Sequence, residues 1–112
     1  MRLSILARGF VLTGALHDYV SRRVGFALSR YAHTIKQVQV RLLDINGPRG
    51  GEDKQCVFVV DVVGAPSVVI RERDADAYVV VDRAADRVDR AVARLIRRRR
   101  PPFRRELPEI AG

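Results

Sequence analysis

An apolar seam with helical spacing runs through the last third of the chain and constrains its fold more than any other feature. The seam steps by four, three, four and three positions through Val81, Ala85, Val88, Val92 and Leu95. This spacing places all five side chains on one face of an α-helix, and we predict that helix over residues 76–98. Asp74 or Asp76 can cap its start, and Pro101-Pro102 ends it. Such a helix is stable only when its seam packs on another layer.

The preceding sequence supplies that layer as strands and one further helix. Residues 2–8 and 36–45 alternate between apolar and other side chains, which is typical of strands, and residues 55–63 and 67–73 form two more apolar runs. Residues 46–54 have the composition of a flexible loop. Thr13 can cap a helix that runs to about Tyr31, with a buried stripe that includes Leu16, Val20 and Val24.

The resulting order is β-α-β-β-β-α, an α+β fold in which two helices pack on one face of a four-stranded sheet. The last three strands are expected to form an antiparallel meander. We predict one domain over residues 1–98, followed by a basic, proline-containing flexible tail over residues 99–112.

The same helix carries a row of arginines, which we call the arginine ridge. It consists of Arg83, Arg87, Arg90, Arg94 and Arg97. The ridge follows the seam by two residues, about 200° around the helix, so it points away from the core over about 20 Å. The net charge is +8, and only Lys36 and Lys54 of the 21 basic residues are not arginine. Arginine binds phosphate in a bidentate manner, so this composition favours nucleic acid as a partner.

A salt-bridged, solvated helix face is the alternative interpretation of the ridge. Asp86 is spaced to pair with Arg90 or with Arg83 on the same helix. Beyond Asp89, however, the ridge has no acidic neighbour along the helix, and it continues into an arginine-rich tail. Arg23 and Arg30 share one exposed side of the first helix, and both helices lie on the same face of the sheet. A polyanionic partner therefore explains the pattern better.

Several functional classes find no support in the sequence. Cys56 is the one cysteine, so the chain can form neither an internal disulfide framework nor a cysteine metal cluster. We expect its side chain in the core. His17 and His33 stand apart, and no catalytic triad or metal site is spaced around them. No signal peptide or membrane span is evident. We expect a cytosolic protein that is not an enzyme, has no cofactor or small-molecule substrate, and is monomeric when free.

The chain resembles the ribosome hibernation-promoting factor family, also called the ribosome-associated inhibitor A or sigma-54 modulation protein family, over residues 1–98. The resemblance rests on the order of elements, on Thr13-Gly14-Ala15-Leu16 with Tyr19-Val20, and on Tyr31 and Ile35 before the second strand. Its best stretch is Asp76-Ala77-Tyr78-Val79-Val80-Val81-Asp82, followed by Arg87, Arg90 and Arg94. The chain departs from the family pattern at Val79-Val80, at Phe26 and in its tail, and we expect it to be a short form without the C-terminal dimerisation domain of the long forms.

The resemblance implies a fold similar to the double-stranded RNA-binding domain. It also implies binding to the small ribosomal subunit and its rRNA in the channel for messenger and transfer RNA, where family members inactivate the ribosome reversibly. Under this resemblance, Arg23, Arg87, Arg90 and Arg94 contact ribosomal RNA. The geometry of the helices adds Arg30, Arg83 and Arg97 to the expected binding residues.

Two other kinds of binding module remain open at this point. One is a general RNA-binding or RNA-chaperone domain that never engages the ribosome. The other is a basic protein-interaction module that meets an acidic partner. An anionic membrane is disfavoured because the ridge has no apolar flank to insert.

Overall fold

The fold follows the predicted order of elements. The computed structural model describes residues 1–45 and 53–99, with only the main chain described at residue 99. The elements are β1 (Arg2–Arg8), α1 (Gly14–Leu28), β2 (Ile35–Asp44), β3 (Lys54–Val62), β4 (Val68–Asp74) and α2 (Ala77–Arg99). The predicted β-α-β-β-β-α fold of the α+β class is confirmed. The predicted loop lies mostly outside the described residues, as does the predicted tail beyond Arg99.

The first helix is shorter than predicted. It ends at Leu28, and Ser29–Tyr31 form a single 3-10 turn instead of a last α-helical turn. The amide of Ala32 donates to the carbonyl of Ser29 at 3.1 Å, which is the tighter hydrogen bond of a 3-10 turn. This turn leads the chain into β2.

The four strands form one sheet in sequence order, β1-β2-β3-β4. β1 is parallel to β2, whereas β2, β3 and β4 pair antiparallel, as the predicted meander requires. A parallel pair needs a crossover connection, and α1 supplies it. One row across the sheet joins Ile5, Val40, Phe58 and Ile70. Because this row faces the helices, its two central residues, Val40 and Phe58, are fully buried.

Both helices pack on the same face of the sheet and enclose the core. The predicted seam is buried from Val81 to Val92, and Leu95 is half-buried at its end. Val80 and Ala84 are buried as well, although the seam did not include them. The apolar face of α2 is wider than the seam because the helix packs on the sheet and on α1 at once.

Side-chain caps fix the start of each helix. The hydroxyl of Thr13 accepts a hydrogen bond from the amide of Leu16 at 3.1 Å. Asp76 accepts from the amides of Tyr78 at 2.7 Å and Val79 at 3.3 Å. Of the two predicted caps for α2, Asp76 is therefore the one used, and Asp74 accepts from the amide of Asp76 instead.

Candidate nucleic-acid interface

The two helices are joined by an ionic contact centred on Asp82. Arg23 of α1 donates from Nε to Asp82 at 2.9 Å and from Nη2 to Asp86 at 3.1 Å. The hydroxyl of Tyr19 donates to the same carboxylate oxygen of Asp82. Burial alone would lower the pKa of Arg23, but the hydrogen bonds to the two carboxylates outweigh it and raise the pKa. Arg23 is thus charged, four-fifths buried and held between the helices.

Arg30, in the 3-10 turn that follows α1, makes a second ionic contact with α2. Its Nη2 donates to Asp89 at 2.7 Å, and its guanidinium lies 4.6 Å from the centroid of the Tyr31 ring. More than half of its side chain is exposed, in contrast to Arg23. We call the contacts of Arg23 and Arg30 with Asp82, Asp86 and Asp89 the interhelix ionic seam.

The interhelix ionic seam changes the interpretation of the acidic residues on α2. The alternative that we considered paired Asp86 with Arg90 or Arg83 of the same helix, but the partner of Asp86 is Arg23 of α1. Asp82 also pairs with Arg23, and Asp89 pairs with Arg30 of the 3-10 turn after α1. These three carboxylates are therefore paired with Arg23 and Arg30, and none of them pairs with the arginine ridge.

The motif that carried the family resemblance has a structural explanation. Asp76 caps α2, and Tyr78 lies edge-on to Tyr19 with 5.0 Å between the ring centroids. Asp82 accepts hydrogen bonds from Tyr19 and Arg23. The three motif residues start the helix and fix it against α1, which sets the direction in which the ridge points.

The first half of the arginine ridge is bound to the edge of the sheet. Arg87 donates to Glu72 at 2.6 Å, and Arg83 pairs with Glu72 and with Asp74, each at 3.2 Å. The same two arginines donate to main-chain carbonyl oxygens of β4, Arg83 to that of Arg73 at 3.2 Å and Arg87 to that of Arg71 at 2.9 Å. Arg83 and Arg87 thus cover the unpaired edge of the outermost strand.

The second half of the ridge is exposed and has no acidic partner within residues 1–45 and 53–99. It comprises Arg90, Arg94 and Arg97, and the adjacent Arg98 extends it. We call these four residues the C-terminal ridge. They lie within nine helical positions, a rise of about 12 Å along the axis. Several like charges this close together raise the local positive potential, and no carboxylate in the described part of the chain offsets it.

The seven predicted binding residues therefore lie in three different settings, and the prediction that the whole ridge points away from the core is wrong for its first half, because Arg83 and Arg87 reach the β4 edge. Arg23 and Arg30 belong to the interhelix ionic seam, Arg83 and Arg87 cover the β4 edge, and three residues of the ridge remain exposed. Glu72 and Asp74 were not predicted as partners of the ridge. The alternation Arg71-Glu72-Arg73-Asp74 was the available signal, because a strand turns every second residue to the same face.

Other potential sites are weak in the described part of the chain. Cys56 is fully buried, as predicted, and burial raises the pKa of its thiol to about 12. Residues 1–45 and 53–99 contain no group of three or more His, Cys, Asp or Glu side chains placed to hold a metal ion. Over the same residues, no helix has both the length and the apolar character of a membrane span.

These features define the class of the protein. It is an α+β domain of the β-α-β-β-β-α type, with two helices on one face of a mixed sheet and an exposed arginine row at the end of the last helix. Residues 3–100 match the model of the Sigma 54 modulation protein / S30EA ribosomal protein family. The chain belongs to this family of ribosome-associated modulation factors, and the resemblance predicted from the sequence is confirmed.

Solved structures agree with this assignment. The chain is similar to the N-terminal domain of Protein Y from Thermus thermophilus, with 28% identity and a TM-score of 0.70 over 85% of this chain and 99% of that chain. A ribosomal subunit interface protein from Coxiella burnetii shares the fold, with 15% identity and a TM-score of 0.70 over 85% and 97% of the two chains. The comparison with curated proteins found no match.

Proposed function

We propose that this protein is a hibernation factor that binds the small ribosomal subunit and inhibits translation by occupying the channel for messenger and transfer RNA. The family assignment supports a ribosome-related role, and the similar protein from Coxiella burnetii is a ribosomal subunit interface protein. Ribosomes are cytoplasmic, so the protein acts in the cytoplasm.

The observation that carries this proposal is the exposed C-terminal ridge. Arg90, Arg94, Arg97 and Arg98 present guanidinium groups to solvent with no carboxylate partner in the described residues. Each can bind the phosphate backbone of ribosomal RNA and release its counterions. The acidic residues of α2 do not neutralise these guanidinium groups, since they are already ion-paired with Arg23 and Arg30.

The seven predicted binding residues contribute in two ways under this proposal. The C-terminal ridge contacts phosphate directly, whereas Arg23 holds α2 in the orientation that presents the ridge. Arg83 and Arg87 can reach RNA only by loosening their ion pairs with Glu72 and Asp74, so they contribute less to affinity. Arg30 is more exposed than Arg23 and is placed to contact RNA beside the ridge.

Inhibition by this mechanism is steric and involves no chemical step. A folded domain bound through phosphate contacts recognises the shape of folded RNA more than its sequence. While it occupies the channel, messenger and transfer RNA are excluded. Because the contacts are electrostatic, rising salt releases the protein and restores the ribosome.

Sedimentation with ribosomes tests this proposal. The wild-type chain should migrate with purified small subunits through a density gradient at low salt and leave them at high salt. Arg90→Glu should lower the bound fraction, and Lys36→Glu, with the same charge change at an exposed position in β2, should lower it much less. A paired translation assay should lose inhibition with Arg90→Glu.

Each outcome of this experiment is decisive. Failure of the wild-type chain to bind small subunits at low salt, while it still binds free RNA hairpins, would favour the general RNA-binding alternative. Equal losses for the two variants would show that net charge, rather than the C-terminal ridge, governs binding. Binding without inhibition of translation would reject occupation of the channel.

A further inference from the structure

The face of the sheet that points away from the helices carries a second group of arginines. Strand alternation turns Leu3, Ile5 and Ala7 of β1 towards the helices and the residues between them to the opposite face. The same rule applies to the other strands. The exposed arginines on this opposite face are Arg2, Arg8, Arg41, Arg71 and Arg73.

Four of these arginines lie in two adjacent rows across the sheet. One row runs from Leu6 through Arg41 and Val57 to Arg71, and the next from Arg8 through Leu43 and Gln55 to Arg73. Neighbouring strands are about 4.8 Å apart and alternate residues about 7 Å apart. The four backbone positions therefore fit within about 14 by 7 Å. We call Arg8, Arg41, Arg71 and Arg73 the sheet patch.

The sheet patch has no acidic neighbour in its two rows. Asp61 is the carboxylate on this face of the four strands, and it lies two rows away, where Gln37 at 3.0 Å and Ser67 donate to it. Glu72 and Asp74 alternate with the β4 arginines and face the helices instead. In β4, the acidic side chains thus lie on the face that carries the helices and the arginines lie on the opposite face.

The chemistry of the sheet patch indicates phosphate as its ligand. Arg41 donates from Nε to Gln39 at 3.0 Å, which orients the guanidinium without neutralising it. A surface depression of about 430 Å³ beside Arg8 and Arg41 is lined by Leu6 and Leu43. The four strands place no aromatic side chain on this face. Stacking on bases therefore has no platform here, whereas guanidinium groups match phosphate oxygens.

We propose that the sheet patch is a second RNA-binding surface, which binds the phosphate backbone of an RNA segment separate from the one bound by the C-terminal ridge. The two surfaces face different directions, because the sheet patch lies on the open face of the sheet, whereas Arg94 and Arg98 of the C-terminal ridge lie on α2 beside Pro66, Ser67 and Val68 at the β4 edge. One domain would then bridge two RNA segments. This inference rests on the proposed function for its choice of RNA as the polyanion.

Energy transfer between two RNA hairpins tests the bridge. The hairpins have about 16 base pairs, the length that a double-stranded RNA-binding domain spans, and one carries a donor dye and the other an acceptor. The wild-type chain should produce energy transfer in complexes that contain one protein and two hairpins. Mass photometry counts the molecules in each complex.

Two variants with the same charge change separate the two surfaces. R41E/R71E should lower energy transfer at least about tenfold while affinity for a single hairpin stays within about threefold, since the C-terminal ridge is intact. R90E/R94E should also abolish transfer but should in addition release the protein from small subunits. R41Q/R71Q removes the charges without reversing them, and circular dichroism checks that every variant is folded.

The outcomes distinguish the inference from the function on which it rests. Undiminished transfer with R41E/R71E, or complexes that contain two proteins, would overturn the bridge. Binding of only one hairpin by the wild-type chain would also overturn the bridge. If that chain still bound small subunits, the proposed function would stand. Small-subunit binding that R90E/R94E does not weaken would instead count against the proposed function alone.

Discussion

Arg23 and Asp82 are bound to each other at 2.9 Å across the gap between the two helices, although 59 positions separate them in the sequence. Tyr19, which also carries the family resemblance on α1, donates to the same carboxylate. Asp82 accepts from both Tyr19 and Arg23, so the orientation of the arginine ridge depends on residues of the first helix.

Removing the side chain of Arg23 should therefore lower the stability more than removing that of the neighbouring Arg22. Arg23→Ala leaves Asp86 without its partner and removes charge-assisted hydrogen bonds, so the free energy of unfolding should fall by about 1–2 kcal/mol. Arg22→Ala should change it by no more than about 0.5 kcal/mol, since Arg22 is exposed and has no ionic partner in the described residues. Urea denaturation of both variants measures the difference. Equal effects would show that the interhelix ionic seam contributes nothing to stability.

The two halves of the arginine ridge should differ in their effect on salt dependence. Arg90→Ala should reduce the slope of log affinity against log salt by about 0.7–0.9, the value for one phosphate contact. Arg87→Ala should reduce it less, because Glu72 already neutralises Arg87. Binding titrations of small subunits at several salt concentrations give both slopes. A larger change for Arg87 would place the RNA contact at the β4 edge instead.

The cap of α2 should be worth a measurable share of the stability. Asp76→Ala removes the carboxylate that accepts from the amides of Tyr78 and Val79 and should cost about 1 kcal/mol. For a domain of this size, that loss corresponds to a decrease in Tm of about 4–8 °C. Asp76→Asn keeps an accepting oxygen and should retain most of the Tm. If both variants melt alike, charge rather than capping stabilises this end of the helix.

Cys56 should be unreactive in the folded protein at mildly alkaline pH. Its pKa of about 12 keeps the thiol protonated, and burial blocks access to reagents, so thiol titration at about pH 8 should proceed only through unfolding. In the unfolded chain the thiol has its ordinary, lower pKa. The stability that the protonated thiol contributes should thus be present below that value and be lost as the pH rises towards about 12.

Comparison of Cys56→Ala with the wild-type chain isolates this contribution. Denaturation curves at several alkaline pH values should show a steeper loss of stability in the wild-type chain than in the variant. Rapid modification of the native thiol at about pH 8, without unfolding, would contradict the burial of Cys56.

The sequence predicted the elements well because their patterns are local. The step of four and three residues along α2 and the alternation in β2 report the faces of single elements, and the structure confirms both. The sequence could not reveal that Val80 and Ala84 are buried, because their burial depends on how α1 packs against α2. The end of α1 at Leu28 was missed for a similar reason, since the 3-10 turn follows from the path into β2.

The site was predictable as a set of arginines but not as a set of environments. Helical periodicity places Arg83 and Arg90 in the same row, yet only Arg83 reaches acidic residues of β4. Ion pairs between distant elements depend on their packing, which a single-helix pattern does not contain. Helical spacing identified the ridge, whereas separating its paired half from its exposed half required the positions of Glu72 and Asp74.

The contacts of Arg83 and Arg87 with the carbonyl oxygens of β4 also bear on aggregation. An outermost strand with open carbonyls is a template onto which another chain can add a strand. The two guanidinium groups donate hydrogen bonds to the carbonyl oxygens of Arg73 and Arg71 and place positive charge along the same edge. A second copy that approached this edge would have to displace both groups and bring its own arginines against them. Arg83 and Arg87, by pairing with β4, thereby help to keep crowded copies of the protein from joining edge to edge.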